Sequence, residues 1–167
     1  KNVASLIEDG ATLQLGIGSL GDSVAYWLRL RHEQPAAFSA AAASLGLDRW
    51  RDLIGREGGR GRFDEGLYGS SEMFTWGLMS LYRAGVIRRR DDRGHVLQAA
   101  FFLGPEAFYQ ALRDLPEDER RLFRMTSVAR INDIYGEEAR ARRNLRDARF
   151  INICIKATLS GAVQSLA

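Results

Sequence analysis

Apolar and polar positions along this 167-residue chain change period several times, and the changes outline alternating strands and helices. Val3, Leu6 and Ile7 predict a short helix that stops at the turn pair Asp9-Gly10. Thr12, Leu13, Gln14 and Leu15 then alternate as a half-buried strand does. Past Gly16-Ile17-Gly18, apolar residues return at helical spacing (Leu20, Val24, Trp27, Leu28), so this stretch predicts a strand, a glycine turn and a helix. Residues 34–62 lose that regularity. An alanine and serine tract leads to an amphipathic patch at Leu45, Leu47, Trp50 and Leu53, then to the glycine- and arginine-rich run 55–62; we read an inserted helical arm and a solvated loop.

Leu67 and Tyr68 predict the end of a buried strand, and Phe74, Leu78, Leu81 and Tyr82 mark one face of a helix closed by Gly85. With Ser70 or Ser71 as the cap, Glu72 falls in the first turn of that helix. Unpaired backbone N–H groups favour a carboxylate there, which suits an anionic nucleophile and equally an ordinary stabilising acid. Downstream, 88–94 is a charged turn and 96–103 a buried strand. Gly104-Pro105 and Pro116 each open a helix. Residues 125–131 predict a strand, 135–146 a highly charged exposed helix or loop, and 150–155 a final strand carrying Asn152 among apolar neighbours. That amide needs partners, either as a structural hydrogen bond or as part of a site. The alternation defines an α/β fold, an open sheet of mostly parallel or mixed strands flanked by helices.

Composition narrows the chemistry. At 46% hydrophobic the chain can bury one sizeable core without metal or disulfide staples. The single cysteine, Cys154, sits in an apolar run and reads as a core residue of a protein in a reducing compartment. No apolar run approaches the roughly 20 residues of a membrane span. A soluble, cytoplasmic protein with no membrane partner is the expectation. The 24 basic and 21 acidic residues interleave, which gives a mildly positive field suited to a small anion and not a nucleic-acid footprint. His32 and His95 lie in polar, surface-like settings without metal-ligand spacing, so no metal site is expected. A serine-hydrolase elbow and a Walker motif are both missing. Gly16, Gly18 and Gly21 match the dinucleotide fingerprint, yet the alanine-rich tract stands where that fold needs a second strand. What the inventory leaves open is a carboxylate nucleophile attacking an activated acyl group.

Three segments, in this order and separation, carry a resemblance: Leu13-Gln14-Leu15-Gly16-Ile17-Gly18 with Gly21-Asp22, Tyr68-Gly69-Ser70-Ser71-Glu72-Met73-Phe74 with Gly77-Leu78, and Phe150-Ile151-Asn152. Together they resemble the C-terminal domain of the acetyl-CoA hydrolase/transferase family, the glutamate-dependent CoA-transferases, over nearly the whole of residues 1–167. The resemblance implies that Glu72 attacks an acyl-CoA thioester through a glutamyl anhydride and a glutamyl-CoA thioester. It also implies that Gly16, Ile17 and Gly18 line the acyl or CoA pocket as an oxyanion turn, and that Ser71 and Asn152 stand close by. Coenzyme A would be substrate, with no bound cofactor. The partners implied are acyl-CoA, a small carboxylate, a preceding domain and a C-terminal remainder of the same polypeptide, and a second copy in a homodimer. An isolated segment of this kind would keep its fold and be a weak catalyst. Departures are Trp76 where many members have an acid, Ser70 where histidine or cysteine is frequent, and Ile155-Lys156-Ala157 in place of an acidic, Gln-containing run. A dinucleotide-binding oxidoreductase domain and a non-catalytic CoA-binding or assembly domain are the alternatives.

Overall fold

The computed structural model describes residues 2–165. In chain order the elements are α1 (Asn2–Ser5), β1 (Thr12–Leu15), α2 (Ser19–Glu33), α3 (Pro35–Ser44), a 3-10 turn (Leu47–Trp50), α4 (Arg51–Glu57), β2 (Tyr68–Thr75) and α5 (Trp76–Arg83). Then follow β3 (Leu97–Leu103), α6 (Glu106–Arg113), α7 (Glu117–Arg120), β4 (Phe123–Met125), α8 (Val128–Asn132), α9 (Glu138–Asn144), β5 (Arg149–Ile151), β6 (Cys154–Ala157) and β7 (Val163–Ser165). Five strands form one sheet in the order β4-β3-β2-β1-β5, every pair parallel, while β6 and β7 make a separate antiparallel ribbon.

Strand order fixes where the helices go. From β1 to β4 the chain steps steadily one way across the sheet, and right-handed crossovers put α2, α5 and α6 on one face. The step from β4 back to β5 runs the other way, so α8 and α9 cross on the opposite face. The core lies mainly under the first layer, where Leu13, Leu15, Val24, Leu28, Leu67, Phe74, Leu78, Leu81 and Phe108 are all nearly or completely buried.

Several sequence expectations need correction. β2 does not end at Tyr68: it pairs with β3 as far as Thr75 against Leu103, and α5 begins only at Trp76. Ser70 and Ser71 are therefore buried strand residues, not caps, and Thr75 supplies the cap by accepting from Leu78 N at 3.5 Å. Small residues broke the apolar run because neighbours crowd them, not because the strand stops; a Cβ on Gly69 would meet the Leu97 side chain at 2.7 Å. The expected strand over 125–131 ends at Met125, and Ser127 caps α8 instead. Likewise 150–155 is broken: β5 stops at Ile151 and β6 starts at Cys154, leaving Asn152 between them. Cys154 is exposed rather than in the core. The last residues of β3, Phe101, Phe102 and Leu103, are also exposed.

His32 is another reversal, since it is buried, stacks on Phe63 and accepts from Phe63 N at 3.3 Å. Burial and the cations Arg62 and Arg88 hold its pKa below the ordinary histidine value. Beside it, Arg31 is 2% exposed and donates to the carbonyls of Ala4, Ile7 and Gly61, with its guanidinium over Phe63. That one side chain ties the N-terminal helix and the end of the glycine-rich loop to α2. Burial lowers its pKa to about 10 against the opposing pull of Asp9.

Asp9 pins the start of the sheet in a comparable way. Its carboxylate accepts from the backbone N–H groups of Asp64, Glu65 and Gly66 at 2.8–2.9 Å, and from Gly10 N at 3.0 Å. Burial works to raise its pKa, but the four amides outweigh burial and leave it below the usual carboxylate value. Because the folded-state value is depressed, this stabilisation is fully present above the unfolded pKa and disappears as pH falls through the folded one. Asp9→Ala should cost about 1–3 kcal/mol at pH 7, by orphaning backbone donors. In urea titrations the gap from wild type should narrow below roughly pH 4; a gap that is constant with pH would remove the carboxylate from the explanation.

Candidate active site

At the carboxyl edge of the sheet the directions of chain travel diverge between β1 and β5. In an open parallel sheet this switch point is where strand ends leave a crevice. β1 ends there at Leu15, and the chain turns through Gly16-Ile17-Gly18 into α2. Gly18 has φ 87°, a left-handed conformation that glycine adopts at no steric cost, and α2 follows without a side-chain cap.

Neighbouring strands bring the other candidates to the same edge. Gly16 N donates to Ile151 O at 2.8 Å, and a Cβ on Gly16 would lie 2.7 Å from Asn152 Oδ1. Asn152 Oδ1 also accepts from Gln14 Nε2 at 3.1 Å, the structural bond that the sequence left open. On the other side of β1, the buried Ser71 hydroxyl donates to Leu15 O at 3.4 Å. Glu72, the next residue of β2, is half-buried. Strands β5, β1 and β2 thus gather Asn152, Gly16 and the Ser71-Glu72 pair within one short stretch of sheet edge.

The side chains then separate by face. Glu72 projects toward the α8 layer, where its Oε1 accepts from the Asn132 side-chain amide. On the α2 and α5 side, Gly16, Ile17 and Gly18 border a cleft of about 580 Å³ whose walls include Tyr26, Trp76, Leu103 and Pro105. Glu72 is not among the residues lining that cleft. Two expectations about the glutamate therefore change: it sits in a strand instead of a helix start, and its nearest polar partner is Asn132, a residue that the sequence pattern placed just past a strand. Nothing in the local pattern marks Asn132. The dinucleotide reading also lacks its second strand, since α3 occupies Pro35–Ser44 directly after α2. Among the described residues, no three His, Cys, Asp or Glu side chains are grouped as a metal ion requires, and no helix is long and apolar enough to cross a membrane.

The class defined by this geometry is an open, parallel α/β domain with its candidate groups at the switch point. Comparison with known proteins adds a coenzyme A transferase-like region: 118 residues are 30% identical to 4-hydroxybutyrate coenzyme A transferase of Clostridium kluyveri, covering 70% of this chain and 20% of that protein. The chain thus spans about a fifth of the length of this curated relative. No protein-family model matches the chain. Among solved structures, RipA from Yersinia pestis superposes over 98% of this chain and 28% of its own, with TM-score 0.64 and 24% identity. A point mutant of RipA gives TM-score 0.64 over 99% of this chain and 28% of its own, also at 24% identity. These structural matches establish the likeness of fold.

The turn at 16–18 depends on one close approach. A Cβ on Gly21 would stand 2.0 Å from Gly16 O, a backbone atom that cannot swing away. Gly21→Ala should therefore displace α2 from the end of β1 and destabilise the protein by about 1–3 kcal/mol, whereas alanine at Gly55, with open space around it, should not. Thermal melts of the two variants check this; equal midpoints would mean that the helix seats elsewhere.

Proposed function

We propose that this chain is the catalytic part of an acyl-CoA:carboxylate CoA-transferase, or of an acetyl-CoA hydrolase working by the same covalent route, with Glu72 as nucleophile. The observation that carries this reading is the meeting of Glu72, the 16–18 turn and Asn152 at one switch point, in a chain similar to a coenzyme A transferase.

In the proposed route a Glu72 oxygen attacks the thioester carbonyl, and the tetrahedral intermediate collapses by breaking the C–S bond. Coenzyme A leaves as the thiolate and an acyl-glutamyl anhydride remains. The thiolate then attacks the Glu72 carbonyl of the anhydride and expels the original acid as its carboxylate, leaving a glutamyl-CoA thioester. An acceptor carboxylate attacks that thioester and repeats the two steps in reverse; in the hydrolase, water replaces the acceptor. No net redox change and no metal enter the balance.

Residues of this chain would act on position and charge. With the Gly16 N–H engaged by Ile151 O, the backbone N–H groups of Ile17 and Gly18 are the ones suited to the negative oxygen of the tetrahedral intermediate, a contact worth roughly 2.7–4 kcal/mol where one such donor has been removed from an enzyme. Asn132 holds the Glu72 carboxylate in one orientation through Oε1, and Oε2 is the oxygen we assign to the attack. Ser71, buried against the Leu15 carbonyl, locks the strand that presents Glu72. Asn152 sets the position of Gly16 from the other side. Supply of the remaining pocket by a preceding domain of the same polypeptide belongs to this proposal, as does low activity of the segment alone.

The test uses the intact polypeptide that carries this chain. Incubation with acyl-CoA followed by borohydride should abolish activity, because reduction of the Glu72 thioester to an alcohol destroys the nucleophile. Borohydride without acyl-CoA should not. Glu72→Gln should lower kcat by roughly 10³-fold or more. Full activity in Glu72→Gln, or complete resistance of the acyl-CoA-treated enzyme to borohydride, would overturn the assignment.

A further inference from the structure

The cleft beside the 16–18 turn has a chemical character of its own. Its walls combine Ile17 from the turn, Tyr26 from α2, Trp76 from the start of α5, Leu103 from the end of β3 and Pro105 just beyond it. Four of these are large apolar side chains left open to solvent: Ile17 is 51% exposed, Tyr26 59%, Trp76 38% and Leu103 42%. They come from four different elements and meet around one space, a concentration that scattered surface residues do not produce. Charged groups line it as well: Asp22 on the first turn of α2, whose Oδ1 would stand 3.7 Å from a Cβ on Gly77, and Arg29, whose guanidinium is paired with Glu33 at 3.1 Å.

Trp76 is held from two directions. Its ring makes an edge-to-face contact with the buried Phe108 at 6.2 Å between centroids, and the Arg83 guanidinium lies 6.0 Å from its ring. The wall is therefore supported from behind while one side stays open. Gly77, the next residue, brings α5 up to α2, since a Cβ there would lie 3.2 Å from the Ala25 Cβ. That close approach closes the floor of the cleft beneath Tyr26 and Trp76.

We propose that this cleft holds the acyl chain of the thioester and that the preferred acyl group is apolar and substantially larger than acetyl. The inference rests on the reading of the 16–18 turn as the place where the thioester carbonyl sits. Gly16, Ile17 and Gly18 belong both to that turn and to the cleft wall, so a chain leaving the carbonyl on the α2 side enters the cleft directly. A space of about 580 Å³ falls within the range of pockets that enclose drug-sized ligands. A two-carbon acyl group would leave Tyr26, Trp76 and Leu103 wet. Trp76 and Tyr26 are the specificity-determining walls.

Unreactive S-alkyl thioethers of coenzyme A test this without any chemistry at Glu72. Binding of free CoA, S-ethyl-CoA, S-butyl-CoA and S-hexyl-CoA to the intact polypeptide is measured by titration calorimetry. Affinity should rise about fourfold per added methylene, the ratio expected for burying hydrocarbon. Trp76→Ala and Tyr26→Ala should each weaken S-hexyl-CoA by about tenfold and leave free CoA within about twofold, as loss of an aromatic wall predicts. Tyr26 is mostly exposed, so its variant keeps the test valid if Trp76→Ala unfolds. Equal affinity across the series, or an equal loss for CoA and every thioether in the variants, would overturn the acyl assignment and give the cleft to the pantetheine arm. Absence of binding by free CoA and all three thioethers would instead overturn the coenzyme A reading itself, and the acyl assignment with it.

Discussion

Between the end of β1 and the first turn of α2 there is no room for a carbon atom. Gly21 approaches the Gly16 carbonyl so closely that a Cβ would stand 2.0 Å from its oxygen, and Gly16 is packed against Asn152 from the opposite side. This double approach sets the height of α2 over the sheet, the path of the 16–18 turn and the lateral position of β5. Since α2 carries Tyr26 and contacts α5 and α3, an error at Gly16 or Gly21 would spread through the whole helical layer. The same constraint gives the cleft its fixed mouth.

Topology adds the second constraint. Right-handed crossovers assign helices to faces according to the direction of travel across the sheet, so the reversal after β4 is what places α8 opposite α2 and α5. As a result the edge between β5, β1 and β2 is bounded by one helical layer on each side. Glu72 answers to α8, and the cleft to α2 and α5.

Elements with local punctuation were legible in the sequence. Asp9-Gly10, the glycines at 16 and 18, Gly104-Pro105 and Pro116 each mark a real boundary, because the backbone conformation there is decided by a few neighbouring residues. Errors arose where long-range pairing decides. Gly69-Ser70-Ser71 reads locally as a break, yet in the middle of a parallel sheet small residues let Leu97 and the Leu15 carbonyl approach. Cys154 and Ile155 look like core residues by composition, but β6 pairs with β7 in a two-stranded ribbon separate from the main sheet. His32 misled in the opposite sense: its polar sequence neighbours, Arg31 and Glu33, hide the fact that the Phe63 ring covers it.

The position of Glu72 carries a consequence for its chemistry. At a helix start, the carboxylate would owe its setting to the local dipole, a contribution that survives rearrangement of the rest of the chain. In the strand, its orientation comes from the pairing of its neighbours Ser71 and Met73 with β3 and from an amide 60 residues further along. The orientation of the Glu72 carboxylate therefore depends on the α8 crossover being in place, although no residue of α8 belongs to the segment around Glu72. The segment around Glu72 supplies the carboxylate of the proposed nucleophile, while the fold specifies the direction in which it points. Substitutions in α8 should for that reason be judged by what they do to the carboxylate and not by their distance from the cleft.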